Sequence, residues 1–347
     1  MSKIAIICDT HIGCRSDNQY FYNYQKKFVD KILIPAIIEH NCEHLIHLGD
    51  VVDNRRSLNI QTANHLHDNF LMPLNRLHYE IGLNVHFILG NHDVYYKQNK
   101  KVNAFQEIMK SYPFKIYENP QEITIGNKNI LMLPWIAPEE RDSDLEFINK
   151  SKADYCMSHL ELKGFEQTKG HLALHGDDPK LFSQFNLVFS GHYHNRSKRD
   201  NIFYIGSCFQ FNWGDAANDS GLVILDTETD TILEIGNPYS MFNTVEYDED
   251  TNLLFPLEWK NTYIRVNVVN KKSETKFNKF IESIHEVGIA DLLINENLSP
   301  LVISKKQIQT SNTLDIFKET INSLDFEEKD MLSLLMEDTY KEAMLIL

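Results

Sequence analysis

Five strand-length apolar runs in this chain stop abruptly at aspartate, asparagine or histidine, and no other feature narrows its possible folds as much. Ile4 to Cys8 runs into Asp9-Thr10-His11, His44 to Leu48 into Gly49-Asp50-Val51-Val52-Asp53, and Val85 to Leu89 into Gly90-Asn91-His92-Asp93. Tyr155 to Ser158 reaches His159, and Leu187 to Ser190 reaches Gly191-His192-Tyr193-His194. Between the first three runs lie segments of helical spacing. Tyr24 to His40 carries Phe28, Ile32, Ile37 and Ile38 and is interrupted at Pro35; Ile60 to Leu77 carries Leu66, Phe70 and Leu74 on one face. Strand, helix, strand, helix, strand predicts parallel βαβ units, whose ligand sites lie beyond the carboxyl ends of the strands. Asp9, His11, Asp50, Asn91 and His92 are thereby placed on one rim.

From Ile123 onward the pattern becomes richer in strands, with a hairpin turn expected at Asp226 to Asp230. An α/β fold of two stacked sheets with helices outside accommodates both halves. The polar stretch around Asn237 to Pro256 marks a boundary, giving a first domain over 1–255. A small α+β domain follows over 256–304. Within it Tyr263 to Val269 reads as a strand, Ser273 caps a helix with Phe277, Phe280, Ile281 and Ile284 on one face, Gly288 ends that helix, and Leu292 to Ile294 returns as a strand. Residues 305–347 read as a polar linker and a C-terminal helix opened by the capping-box-like Asp325-Phe326-Glu327-Glu328.

Composition excludes several classes. No apolar run approaches the ~18 residues needed to cross a bilayer and no signal-peptide pattern opens the chain, so a soluble, cytoplasmic protein without membrane contact is expected. The five cysteines are odd in number and lack a Cys-x-x-Cys pair, which argues for reduced thiols. A net charge of −15 opposes a nucleic-acid partner at first sight. Basic residues nevertheless follow three of the loops. Arg55 and Arg56 follow Asp50, Lys97, Lys100 and Lys101 follow His92, and Arg196, Lys198 and Arg199 follow His194. Of these Arg55, Arg56, Lys97, Arg196 and Lys198 are the candidates for holding a phosphate backbone; the alternative is a set of scattered, solvated cations.

A rim that collects two aspartates, an asparagine and at least four histidines is costly unless a cation balances it. Carboxylate, amide and imidazole donors suit divalent manganese, iron or zinc, and they outnumber what one ion requires. Two ions about 3.5–4 Å apart, with one carboxylate shared, is the natural inference for such a set.

Asp-x-His, Gly-Asp-x-x-Asp, Gly-Asn-His-Asp, a later Ser-His and Gly-His-x-His, in this order over roughly residues 3 to 225, resemble the calcineurin-like metallophosphoesterases. The resemblance implies a two-sheet sandwich flanked by helices. It also implies a first metal held by Asp9, His11 and His194, Asp50 as the bridge, and a second metal held by Asn91, His159 and His192. His92 resembles the imidazole that donates to the scissile phosphate or leaving oxygen, with Asp93 orienting it. Gly206-Ser207, Gly214-Asp215, the small domain and the apolar C-terminal helix resemble the SbcD-type branch of DNA repair nuclease subunits, including those of T-even-type phages. That branch implies two divalent ions, with manganese expected and magnesium the alternative. It further implies a DNA-facing small domain, homodimerisation, and a C-terminal segment that binds an SbcC-like coiled-coil ATPase. One departure stands out: Asp53 occupies a position where several members carry histidine, and a carboxylate cannot replace an imidazole as phosphate donor.

Other functions would use the same fold. Phosphoprotein phosphatases tend to read Gly-Asp-x-x-Asp-Arg-Gly and Gly-Asn-His-Glu, whereas this chain reads Gly-Asp-Val-Val-Asp-Asn-Arg and Gly-Asn-His-Asp. A small-molecule phosphodiesterase would keep the same metals, and a non-catalytic scaffold would have lost ligands. Phe209, Phe211 and Trp213 either stack on an unpaired base or, the better reading, pack and anchor a loop.

Overall fold

The computed structural model describes residues 2–168, 170–250 and 257–296, with Met336 beyond them. Up to Asn295 the chain is one compact unit. The linker and C-terminal helix expected over 305–347 lie, Met336 apart, outside the described residues.

Four strands, β1 (Lys3–Ile7), β2 (His44–His47), β3 (Asn84–Ile88) and β4 (Lys115–Tyr117), are followed by β5 (Gln121–Ile125), β6 (Lys128–Leu133) and β7 (Tyr155–His159). A short hairpin, β8 (Glu166–Thr168) and β9 (His171–Leu172), precedes β10 (Leu187–Gly191), β11 (Ser197–Arg199) and β12 (Ile202–Tyr204). Then come β13 (Gly221–Asp226), β14 (Thr231–Gly236), β15 (Phe242–Asp248), β16 (Tyr263–Asn270) and β17 (Asp291–Glu296). Two six-stranded sheets result, ordered β14-β13-β1-β2-β3-β4 and β11-β12-β10-β7-β6-β5. All five apolar runs that end in a polar residue are strands, and β1, β2 and β3 pair in parallel, as do β6, β7 and β10. The turn expected at Asp226 to Asp230 joins antiparallel β13 and β14.

Alternation within each strand sets the layers. Ile4 and Ile6 of β1 point between the sheets, where they meet Ile46, Ile88, Met132, Met157, Phe189 and Val223. Ala5 and Ile7 point the other way, toward the helices. Those helices are α1, built from Gln19–Phe28, a π turn Val29–Leu33 and Ile34–Glu39, and α2, built from Ile60–Leu66, a π turn His67–Leu71 and Met72–Ile81. In each, a proline, Pro35 or Pro73, follows the π turn by two residues. Proline has no N–H to give the preceding turn, and a locally widened helix accommodates that loss without a break.

The segment from 257 onward contains the expected strand, helix and strand as β16, α3 (Glu274–Glu286, with Ser273 accepting from the Lys276 amide) and β17. It also takes β15, in parallel with β16, so its sheet begins ahead of the expected boundary at 255. The polar residues alternating through Phe242–Asp248 mask this strand in the sequence. Phe242 and Tyr263 seat the small sheet against Phe21 of α1, while Trp213 packs on Phe242 with the Arg265 guanidinium 4.0 Å from its ring centre. All five cysteines are buried and free. Among the described residues no helix is long and apolar enough to cross a membrane.

Candidate metal centre

Parallel β1, β2 and β3 deliver three loops to one edge of the first sheet, and β7 and β10 deliver His159 and the Gly191 turn from the second. Two loops interlock because neither glycine there carries a Cβ. A Cβ on Gly49 would lie 2.6 Å from the Gly90 nitrogen, and one on Gly90 would lie 2.2 Å from Asp50 Oδ1. Asp9, His11, Asp50 and His192 all adopt positive φ, from 39° to 86°. For residues other than glycine this costs about 1–3 kcal/mol each and persists where the surroundings enforce it, typically at functional sites.

The side chains converge in two groups. His11 Nε2 lies 3.3 Å from His194 Nε2, 3.9 Å from Asp9 Oδ1 and 3.8 Å from Asp50 Oδ2. The same Asp50 oxygen lies 3.3 Å from His159 Nε2, and Asn91 Oδ1 lies 3.0 Å from His159 Nε2 and 2.9 Å from His192 Nδ1. All seven residues expected to hold metal therefore sit together, with Asp50 common to both groups. The Leu48 carbonyl can only accept, so His159 donates to it from Nδ1 at 2.7 Å and turns Nε2 toward the site.

Electrostatics of this cluster call for positive charge. Burial alone would lower His11 and His159, yet Asp53, Asp50 and Asp9 around the first, and Asp50 and Asp9 around the second, raise both to about 9. Burial and the neighbouring His159 push His192 down to about 4. Asp50 is held well below the ordinary carboxylate value against its burial, chiefly by His159 and His11. Two protons or two cations must balance the carboxylates, and the convergence of oxygen and imidazole donors fits divalent ions.

His92 stands beside this cluster rather than in it. Its amide donates to Asp50 Oδ1 at 2.7 Å, and its ring Nδ1 donates to the Asp53 carbonyl at 2.6 Å, which leaves Nε2 available. Its ring meets His11 edge-on at 4.9 Å. The expectation that Asp93 orients His92 is not met. Asp93 Oδ2 accepts from the amides of Asp50 at 2.7 Å and Gly90 at 2.8 Å, and Oδ1 accepts from Val51 at 2.8 Å and Val52 at 3.3 Å. Four backbone donors occupy a buried carboxylate that the sequence suggested would face an imidazole. Asp93 is thus a brace between the Asp50 and Gly90 loops. Asp53 contributes its carbonyl to His92 and places its carboxylate 3.4 Å from His11 Nδ1 as an ionic contact.

Several supports were not foreseen. Buried Gln25 of α1 donates to the Thr10 carbonyl at 2.9 Å and so grips the Asp9–His11 turn. His47, also buried, accepts from the Gly49 amide at 3.2 Å and faces Thr10 Oγ1 at 3.1 Å, joining the first two loops. Phe211 packs its ring 5.1 Å from both His11 and His194, and Asp215 Oδ2 lies 3.7 Å from His194 Nδ1 while accepting from the Phe211 amide at 2.9 Å. Phe209 and Phe211 are buried, in line with a packing role for that cluster.

The basic residues divide. Arg56, Lys97 and Lys198 are exposed, and a buried guanidinium nitrogen of Arg55 has no hydrogen-bond partner among the described residues. Arg196, by contrast, is turned inward, donating from Nε to the Ile205 carbonyl at 2.8 Å and from Nη1 to Glu234 at 3.0 Å. Its charge is paired with Glu234, while its Nη2, like the Arg55 nitrogen, has no hydrogen-bond partner among the described residues. Lys100 is likewise buried, paired with Asp144 at 2.7 Å. A cavity of about 490 Å³ between α1 and residues 238–243 and 258–262 does not touch the histidine and aspartate cluster.

Several known proteins are similar to this chain. "Exonuclease subunit 1" of Enterobacteria phage T4 is 27% identical over 337 residues, covering 96% of each chain. A nuclease SbcCD subunit of Staphylococcus saprophyticus is 22% identical over 274 residues, covering 71% of each. Among solved structures an archaeal phosphodiesterase aligns over 68% of this chain and 99% of its own, at 16% identity and a TM-score of 0.35. The model of the family described as calcineurin-like phosphoesterase matches residues 2–196, more than half of the 347, and spans every loop that builds the cluster. The chain belongs to the calcineurin-like phosphoesterase family.

Proposed function

We propose that this chain is a two-metal DNA nuclease, the hydrolytic subunit of a complex that processes DNA ends in recombination and double-strand-break repair. The observation that carries the reading is the pair of donor groups sharing Asp50, with His92 beside them and its Nε2 unspent. The nuclease names of relatives that match along most of their length support a nucleic acid as the polymer. Asp9, His11 and His194 would hold one ion, Asn91, His159 and His192 the other, and Asp50 both. Manganese is the expected ion and magnesium the alternative. Divalent ions in such a site supply Lewis acidity and a water activated for attack on phosphorus.

The protein's own residues supply the rest. His92 donates from Nε2 to a phosphate or leaving oxygen, its ring set by the Asp53 carbonyl. Asp93 fixes the spacing of the Asp50 and Asn91 loops. The unpartnered nitrogen of Arg55, with Arg56, Lys97 and Lys198, would hold flanking phosphates. The small domain faces DNA, an SbcC-like ATPase engages residues 305–347, two copies form a homodimer, and the complex works in the cytoplasm.

Nucleotide release from linear duplex and single-stranded DNA in manganese, beside His92→Ala and the generic ester bis-para-nitrophenyl phosphate, tests the proposal. DNA cleavage should vanish with chelator and fall about 10²–10⁴-fold in the variant. Turnover of the generic ester without DNA cleavage, even with the ATPase added, would assign a small-substrate phosphodiesterase instead.

A further inference from the structure

A second cavity, of about 220 Å³, opens beside the metal centre on its His159 side. Its walls include Trp135, Pro138, Arg141, His159, Glu161 and Asp177. The fold holds these walls firmly. The Trp135 amide donates to the Leu89 carbonyl at 2.8 Å, one residue before the Gly90-Asn91-His92-Asp93 loop. The Glu139 amide donates to the Gln98 carbonyl at 2.9 Å, tying the Pro138 segment to the loop that follows Asp93. Arg141 grips Asp177 through both guanidinium amino groups.

The chemistry of the walls selects a class of ligand. Trp135, partly buried against the core, brings an indole to the wall, Pro138 an apolar ring, and the Arg141–Asp177 pair and Glu161 polar groups. A planar heteroaromatic ring with polar edges answers all three. The volume lies below the ~300 Å³ at which sites for drug-sized ligands begin, which suits one ring system and not an oligonucleotide. His159 lines both this cavity and the metal cluster, so a ring held here is attached close to the phosphorus being attacked.

We infer that this cavity is a nucleobase subsite, which seats the base of the nucleotide next to the scissile phosphate with Trp135 as its stacking surface. The inference rests on the phosphodiesterase reading and narrows it, since a base subsite favours nucleoside esters over esters that carry no base. Base–aromatic stacking is sequence-tolerant, so the subsite would admit any of the bases.

The test compares kcat/KM for the para-nitrophenyl ester of thymidine 5′-monophosphate with that for bis-para-nitrophenyl phosphate, two diesters with the same leaving group. Wild type should favour the nucleoside ester. Trp135→Ala should lower the ratio of the two values roughly tenfold or more, and Trp135→Phe should restore most of it. An unchanged ratio in Trp135→Ala, or a ratio lost equally in Trp135→Phe, overturns the subsite. Equilibrium binding supplies an independent readout: thymidine 5′-monophosphate should quench tryptophan emission saturably in wild type but not in Trp135→Phe, and deoxyribose 5-phosphate should not. Equal quenching by the abasic sugar phosphate, or none by the nucleotide, counts against the proposal. Failure here leaves DNA cleavage untouched, whereas absent DNA cleavage with an intact Trp135 effect would sink the nuclease reading alone.

Discussion

Replacing Asp93 by asparagine separates a brace from a catalytic partner. In the native site both carboxylate oxygens accept, and each takes two backbone amides, from Asp50 and Gly90 on one side and Val51 and Val52 on the other. Asparagine keeps one acceptor oxygen and puts an NH₂ group where the other stood. Whichever way the amide is turned, two buried N–H groups then face a donor. Each unsatisfied buried donor costs about 1–3 kcal/mol, so the substitution should cost roughly 2–6 kcal/mol. That is a large share of the ~5–15 kcal/mol by which a folded protein is stable. At roughly 2 °C per kcal/mol for a chain of this size, Tm should fall by about 4–12 °C. Because the same amides set where Asp50 and Asn91 stand, manganese affinity measured by titration calorimetry should weaken alongside, and phosphodiester hydrolysis with it. If Asp93 acted mainly through His92, Asp93→Asn would lose turnover at unchanged Tm and unchanged metal affinity. That outcome would refute the brace.

Two further consequences follow from the charges. His11 and His159 are raised to about 9 by their carboxylate neighbours, so at pH 7 both carry protons until a cation replaces them. Metal binding at pH 7 should release about two protons, read by calorimetry in buffers of different ionisation enthalpy, and release near zero would contradict that charge balance. Burial lowers His47 and His86 to about 3, whereas an unfolded histidine titrates near ~6.5. The unfolded chain therefore binds these protons first as pH falls, and stability is lost below about pH 6.5 by up to ~1.4 kcal/mol per pH unit for each histidine. Denaturant unfolding from pH 7.5 to 5 should show a shallower slope for His86→Phe than for wild type; parallel profiles would remove His86 from the account.

What the sequence revealed and what it hid have separate physical causes. Strand ends at Asp9, Asp50, Asn91, His159 and His192 were legible because period, length and the abrupt change from apolar to polar are local, and a parallel sheet gathers such ends by topology alone. The role of Asp93 was not legible, because its partners are backbone amides at 50 to 52 and 90, and backbone donors leave no trace in residue identity. Arg196 misled for the converse reason. Its neighbours Lys198 and Arg199 are exposed cations, but its partner, Glu234, lies 38 residues away on β14. The missed supports show what connects the two kinds of information. Gln25 and His47 each bury a polar side chain, a costly choice offset here by hydrogen bonds to the turns that carry the candidate metal-holding side chains. Phe211 extends the same logic to the small domain. It touches His11 and His194, its carbonyl accepts from Arg15, and the neighbouring Trp213 is held by Phe242 and Arg265. Packed side chains thereby run from the small sheet toward His11 and His194, and the residues that make these contacts are scattered across more than two hundred residues of sequence.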